Sequence, residues 1–230
     1  GSGKTTTLYA AIRYLLDRAP INILTVEDPV EYEIAGINQV EVDSSDKVNF
    51  SKALRSLLRH DPDVVMIGEI RDRETAEAAI QAALTGHLVL STLHTNDACS
   101  AATRLLDMGI EPFLVTSTVA ASMAQRLVRT ICPDCRESYQ PDREKLPQDF
   151  VLAPGAELSR GAGCRKCRGT GFFGRSGLYE LMLADDVIRE KIMVRAQATE
   201  ILKVAKSAGL RTIREDGWDK VRQGVTTPEE

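Results

Sequence analysis

The stretch GSGKTTTLYA, residues 1–10, decides the fold because it carries most of a phosphate-binding loop. Such a loop reads G-x-x-x-x-G-K-[ST], and its last three positions match Gly3, Lys4 and Thr5. Backbone N–H groups at a helix start cradle anions, the lysine reaches the β- and γ-phosphates, and the hydroxyl ligates Mg²⁺. A glycine-rich turn that merely starts a helix is the alternative. The predicted nucleotide-binding residues are Gly1, Ser2, Gly3, Lys4, Thr5 and Thr6.

Helical and strand patterns alternate from this loop to about residue 130. Helical patterns cover residues 5–18, 50–60 and 75–84, and apolar strand patterns cover residues 21–27, 36–42, 63–69 and 87–94. Alternation of this kind predicts an α/β fold in which a parallel sheet carries helices on both faces. The strand at 36–42 is expected at an edge of that sheet.

The composition is that of an ordinary globular protein. The chain has 230 residues, of which 43% are hydrophobic and 27% charged, and its formal net charge is −4. A nucleic-acid-binding protein usually has a basic surface, so this balance argues weakly against that class. No apolar run approaches the roughly 20 residues that a membrane-spanning helix needs.

The sequence changes character after the α/β pattern ends. Prolines and glycines become frequent from residue 132 to residue 177, and short helical patterns return from residue 185. Because the middle segment lacks apolar periodicity, we expect it to need a covalent or metal staple rather than a core of its own. The predicted ranges are a core over 1–130, an insertion over 131–178 and a helical region over 179–230.

Four of the five cysteines form two C-x-x-C pairs. The pairs are CPDC, with Cys132 and Cys135, and CRKC, with Cys164 and Cys167, and 28 residues separate them. Two such pairs can close a tetrahedral structural zinc site. A thioredoxin-like redox pair is less favoured, whereas a nucleic-acid-binding zinc ribbon is a serious alternative because residues 165, 166 and 168 are basic. Cys99 stands apart and is interpreted as a packing residue.

Candidate catalytic side chains follow the strands of the predicted sheet. Glu27 ends one strand, Glu69 follows another, and His94 follows a third. Ligands bind outside the carboxyl ends of parallel strands, and a nucleotide hydrolase needs one carboxylate near Mg²⁺ and another to activate water. The strand before Glu69 has Gly68 where an aspartate is usual. His87 lies at the opposite strand end from His94, so geometry makes it structural.

Arg55 and Arg59 are four residues apart in ALRSLLRHDPD. This spacing predicts that both side chains share one helix face. Such a pair can serve a phosphate within the chain or across a subunit boundary. A solvated helix face is the alternative.

Six stretches together resemble one enzyme family, the secretion traffic ATPases, which are the hexameric motors of type II secretion and type IV pili. The stretches are GSGKTTTLYA, ILTVEDPVEY, LRHDPDVVMIGEIRD, TGHLVLSTLHTNDA, AQRLVRTICPDC and GRSGLYEL. The four-cysteine segment and the ending REDGWDKVRQGVTT are most similar to the type II secretion branch. The resemblance implies a RecA-like P-loop NTPase core with a four-cysteine zinc insertion and a small helical C-terminal region.

The resemblance also implies roles for single residues, with ATP, Mg²⁺ and Zn²⁺ as cofactors. Glu27 would activate water, Glu69 would serve the Mg²⁺ shell, and His94 would lie near the γ-phosphate. The arginines at 55 and 59 would stabilise charge between subunits. The implied zinc ligands are Cys132, Cys135, Cys164 and Cys167.

At the level of the whole protein, the resemblance implies an ATP-driven motor that assembles a pilus-like filament for protein export. It would form a homo-oligomer, as a hexamer, in the cytoplasm against an inner-membrane platform. Because the first glycine of the loop pattern would precede Gly1, we expect the chain to be a fragment that binds ATP poorly when made alone. The alternatives are a pilus-assembly or DNA-uptake ATPase, and a zinc-ribbon nucleic-acid-binding module on an inactive nucleotide fold.

Overall fold

A computed structural model describes residues 2–42 and 50–230. Two compact units divide the chain. The first consists of Gly3–Ser122 and Met182–Gly209, and the second of Met123–Leu181 and Leu210–Glu230. This division differs from the three predicted ranges, because the C-terminal helices belong partly to each unit.

The first unit contains a four-stranded parallel sheet. In chain order the strands are β1 (Ile23–Glu27), β2 (Asn38–Glu41), β3 (Val64–Ile67) and β4 (Leu88–Ser91). Their order in the sheet is β2-β1-β3-β4, and every pairing is parallel. The predicted parallel sheet and the edge position of β2 are therefore confirmed. The carboxyl ends of all four strands meet at one edge of the sheet.

The two central strands are buried on both faces. Every residue of β1 and β3 is buried, which accounts for their continuous apolar sequences. On one face, the side chains of Ile23, Val64 and Met66 pack against Tyr9 and Ile12 of the first helix. This cluster fixes the first helix, and the loop before it, against the carboxyl edge of the sheet.

Helices surround the sheet of the first unit. They are α1 (Lys4–Leu16), α2 (Phe50–Leu57), α3 (Arg73–Leu84), α4 (Cys99–Asp107), α5 (Pro112–Thr118), α6 (Asp186–Met193) and α7 (Ala198–Ser207). The sequence predicted α1, α2 and α3 to within two residues at their starts. A 3₁₀ turn at Leu58–His60 continues α2, so the helical pattern of residues 50–60 is not one α-helix. The alanine-rich α3 is capped by Asp72, whose side chain accepts from the Thr75 amide.

The second unit is built from two small sheets and one helix. Strand β5 (Ala121–Ile131) pairs with β8 (Phe172–Leu183), and β6 (Arg136–Tyr139) pairs antiparallel with β7 (Leu158–Gly161). The helix is α8 (Ile213–Arg222). Its side chains Trp218 and Val221 join an apolar cluster with Phe150 and Leu158. The segment after residue 132 therefore has a small core, which the sequence did not predict because part of that core comes from α8.

Candidate active site

A cavity opens at the carboxyl edge of the parallel sheet. Lys4, Thr5, Glu27, Glu69 and His94 all line it. They come from the start of α1, the end of β1 and the segments that follow β3 and β4. The fold therefore gathers five of the predicted site residues around one space, as the rule for parallel sheets requires.

The start of α1 is suited to binding an anion. Gly3 precedes the helix in the left-handed conformation, with φ of 82°, and no side chain caps the helix start. The first N–H groups of an α-helix have no partner within the helix, so they are available to a phosphate. Thr6 is exposed on α1 and does not line the cavity. Gly1 lies outside the described residues.

Glu27 is buried, with 2% of its surface exposed. Its Oε1 atom accepts from the Thr25 hydroxyl at 2.6 Å and from the Gln39 amide at 3.0 Å. Its Oε2 atom accepts from the Tyr9 hydroxyl. Burial and the neighbouring carboxylate raise the pKa of Tyr9 to about 12, so this hydroxyl stays a donor. Three hydrogen bonds thus hold an acceptor carboxylate at the cavity wall.

Glu69 bridges an arginine and a histidine. Its Oε1 atom pairs with Arg71, and its Oε2 atom lies 2.7 Å from Nε2 of His94. Burial alone would raise the pKa of Glu69, but the hydrogen bonds from Arg71 and His94 lower it below its ordinary value. The carboxylate is therefore negative at neutral pH and faces a cavity that Lys4 and Thr5 also line. A carboxylate and a hydroxyl in this arrangement could hold Mg²⁺.

His87 lies away from this cavity. Its Nδ1 atom is 3.0 Å from the Thr85 hydroxyl and 2.9 Å from the Ala82 carbonyl. The ring thus closes the turn after α3, at the opposite end of β4 from His94. This is the structural position that the strand geometry predicted.

The two arginines of the predicted pair do not line the cavity. Arg55 lies on α2, where its side chain is 62% exposed and 3.7 Å from Glu74. Arg59 is exposed on the 3₁₀ turn that follows α2. The chain tightens into that turn between them, so the two arginines lie on an α-helix and a 3₁₀ turn rather than on one continuous α-helix. Neither arginine reaches the cavity of its own chain in the described structure.

The four paired cysteines of the second unit converge. Their sulfur atoms all lie within 4.8 Å of one another, and none is disulfide-bonded. Three of the Sγ–Sγ distances are 3.9 Å for Cys132–Cys164, 3.8 Å for Cys135–Cys167 and 3.7 Å for Cys164–Cys167. A tetrahedral site with metal–sulfur bonds of about 2.3 Å requires sulfur separations of about 3.8 Å. The donor set therefore has the size of a zinc site.

The surroundings of the four thiols shift two of their pKa values in different directions. Burial raises the pKa of the Cys135 thiol to about 12, whereas the Cys164 N–H, 3.2 Å from Sγ, lowers the pKa of the Cys167 thiol to about 6. Outside the sulfurs, Lys166 pairs with Asp134 at 2.9 Å and so joins the two C-x-x-C loops. Cys99 is fully buried at the start of α4, away from this cluster.

Comparisons with known proteins relate the chain to one family. The profile of the family described as Type II/IV secretion system protein matches residues 1–230. Type II secretion system protein E of Pseudomonas aeruginosa is 53% identical over the whole chain, and type II secretion system ATPase E of Vibrio cholerae is 52% identical. The chain spans 46% of each of these relatives.

A solved structure shares the fold. The pilus retraction motor PilT with bound ADP superposes with a TM-score of 0.72 at 29% identity, over 100% of this chain and 57% of that one.

Within residues 2–42 and 50–230, no helix combines the length and the apolar character needed to cross a membrane.

Proposed function

The chain belongs to the Type II/IV secretion system protein family, and from this premise we propose that it is the ATP-hydrolysing part of a type II secretion motor. The observation that carries the proposal is the shared cavity, where half of a phosphate-binding loop faces two buried or hydrogen-bonded carboxylates. The high identity to type II secretion E proteins over the full chain supports the secretion branch. The 48% identity to the type IV pilus assembly ATPase PilB of Thermus thermophilus keeps pilus assembly as the second candidate.

The roles within the site follow from charge and position. Lys4 and the first N–H groups of α1 would hold the terminal phosphates. Thr5 and Glu69 would hold Mg²⁺, which neutralises charge on the phosphates when it is bound. Glu27 would take the proton of the attacking water, because it is an acceptor on the wall of the same cavity. His94, which Glu69 holds in place, would lie near the γ-phosphate.

The whole protein is proposed to work as a ring. Arg55 and Arg59 are exposed and do not reach the cavity of their own chain, which is the arrangement expected if they stabilise charge at a neighbouring subunit's nucleotide. We propose a RecA-like core in a homo-oligomer, as a hexamer, that acts in the cytoplasm against an inner-membrane platform. Differential contacts in each nucleotide state would drive filament assembly.

The tetracysteine cluster is proposed to hold structural zinc. The sulfur separations support this, since they equal the edges of a tetrahedron around zinc, and four thiolates leave no position open for catalysis. The net charge of −4 opposes the zinc-ribbon alternative that binds nucleic acid. The purified protein should contain about one zinc per chain, whereas less than about half an equivalent would contradict the assignment.

The test of the proposed function uses the full-length protein and the Glu27→Gln variant. We expect the parent to hydrolyse ATP with a specific activity that rises with protein concentration. Glu27→Gln should bind ATP normally but lose at least 100-fold in turnover, on the order expected when a general base is removed. Glu33→Gln, an exposed acid on the following loop, is the matched control and should keep full turnover. Parent-like turnover by Glu27→Gln would contradict the role given to Glu27.

A further inference from the structure

The carboxylate of Glu27 is held by side chains that come from different elements. Tyr9 belongs to α1, Gln39 belongs to β2, and Thr25 lies on β1 with Glu27 itself. A buried carboxylate is costly unless donors satisfy it. An ionised carboxylate can accept about four hydrogen bonds, and these three donors leave room for roughly one more at Oε2. The arrangement therefore fixes the group and keeps a place for a water molecule.

Tyr9 connects this carboxylate to the phosphate-binding loop. It is fully buried in the face of α1 that packs on the sheet, five positions after Lys4. Its ring packs edge-on against Tyr32, with 4.6 Å between centroids, and its oxygen also accepts from the Glu31 N–H at 3.3 Å. The buried ring thus holds its hydroxyl beside Glu27, and Tyr9 links the carboxylate to α1.

Gln39 fixes the other oxygen of Glu27. Its Oε1 atom accepts from the Ile34 N–H at 2.7 Å, which orients the amide. Its Nε2 atom then donates both to Glu27 and to the Tyr32 carbonyl, at 3.0 and 3.3 Å. Flipping the amide would lose all three bonds. The oxygen would then face the acceptors of Glu27 and Tyr32, and the NH₂ group would face the Ile34 N–H. Gln39 thus ties Glu27 to the loop between β1 and β2.

We propose that Tyr9 and Gln39 are positioning residues, which hold the Glu27 carboxylate in one orientation at the cavity wall, where it can activate water. This inference rests on the proposed function of Glu27. Neither residue lines the cavity. Removing either one frees the carboxylate to rotate, so the chemical step slows while nucleotide binding is kept.

The test compares steady-state ATP hydrolysis and ADP binding in the full-length protein. Tyr9→Phe removes one oxygen atom and keeps the packed ring. We expect kcat to fall roughly tenfold or more, on the order of one hydrogen bond to a charged group, with KM for ATP and Kd for ADP within about twofold of the parent. Tyr14→Phe is the matched control, since Tyr14 is exposed on the same helix, and it should behave as the parent does.

A second variant covers the case in which Tyr9→Phe does not fold. Gln39→Leu has a similar shape but lacks the amide, and it should show the same loss of kcat at unchanged nucleotide affinity. Parent-like kcat in the folded variants overturns the inference, as does a loss that appears in Kd instead of kcat. Those results leave the proposed function intact if Glu27→Gln is still inactive. Full turnover by Glu27→Gln removes the proposed function and this inference together.

Discussion

At the scale of single residues, the ion pairs of Glu69 make stability depend on pH. Its carboxylate pairs with Arg71 and His94, and the pKa of Glu69 lies below its ordinary value of 4.5. A lowered pKa in the folded state means that the group stabilises the fold above about pH 4.5. This contribution is lost as the pH falls through the folded-state pKa. The site is therefore one source of acid sensitivity in the first unit.

Glu69→Gln is predicted to flatten the acid side of the stability profile. The variant cannot gain a proton in this range, so its free energy of unfolding should fall less than that of the parent between about pH 6 and pH 3. Denaturant unfolding of the nucleotide-free protein measures this difference. Glu33→Gln provides an exposed reference. An unchanged acid slope in Glu69→Gln would show that the pairs with Arg71 and His94 contribute nothing to stability.

The sequence identified part of this site. Glu27, Glu69 and His94 were predicted because each follows an apolar strand, and parallel strands end at one edge. The residues that orient them were missed. Tyr9 lies 18 positions from Glu27, and Gln39 lies 12 positions from it, so their contacts exist only once α1 and β2 have packed. Of the residues that orient these side chains, only Arg71 could have been identified from the sequence, because it stands two residues after Glu69.

At the element scale, α8 is held to β8 by a buried acid. Asp216 accepts from the Tyr179 N–H at 3.0 Å and from Lys220 at 2.6 Å, and Lys220 also donates to the Gly177 carbonyl. Asp216→Ala leaves the Tyr179 N–H without this acceptor and Lys220 without its ion-pair partner, although Lys220 keeps the Gly177 carbonyl. We expect a loss of about 1–3 kcal/mol in the free energy of unfolding, measured by denaturant titration.

The matched control for that change lies on the same helix. Asp219 pairs with Arg211 and Arg222 at the surface, where ion pairs contribute little. Asp219→Ala should therefore cost about 0–1 kcal/mol. Equal losses in the two variants would mean that Asp216 acts as an ordinary surface acid and does not fasten α8.

Elements with strong periodicity were predictable, and their ends were not. The apolar runs of β1 and β3 were found from the sequence because burial on both faces leaves a continuous apolar signal, and the start of α1 was found from the phosphate-binding loop motif. The change from α2 to a 3₁₀ turn at Leu58 leaves no such signal, so the sequence did not predict that Arg55 and Arg59 lie on different helical segments. The core around Phe150 was missed because α8 supplies Trp218 and Val221 to it from a distant part of the sequence.

At the scale of the whole molecule, the tetracysteine cluster should control the stability of the second unit. Removing zinc with a chelator leaves four thiols facing one another without a bond, so we expect the unfolding temperature to fall by about 10 °C or more. Cys164→Ser should unfold at the lower temperature with or without chelator. Cys99→Ala should keep both its zinc and its response to chelator. A parent protein indifferent to chelator would contradict a structural metal.

The burial of Cys99 has a practical consequence for labelling experiments on this protein. The chain carries five cysteines, yet four would be bound to zinc and the fifth has no exposed surface. A maleimide dye added to the native protein should therefore find almost nothing to alkylate. Single cysteines could be introduced for fluorescence or subunit cross-linking without first deleting the natural ones. The same reagent would report any loss of zinc as the sudden appearance of reactive thiols.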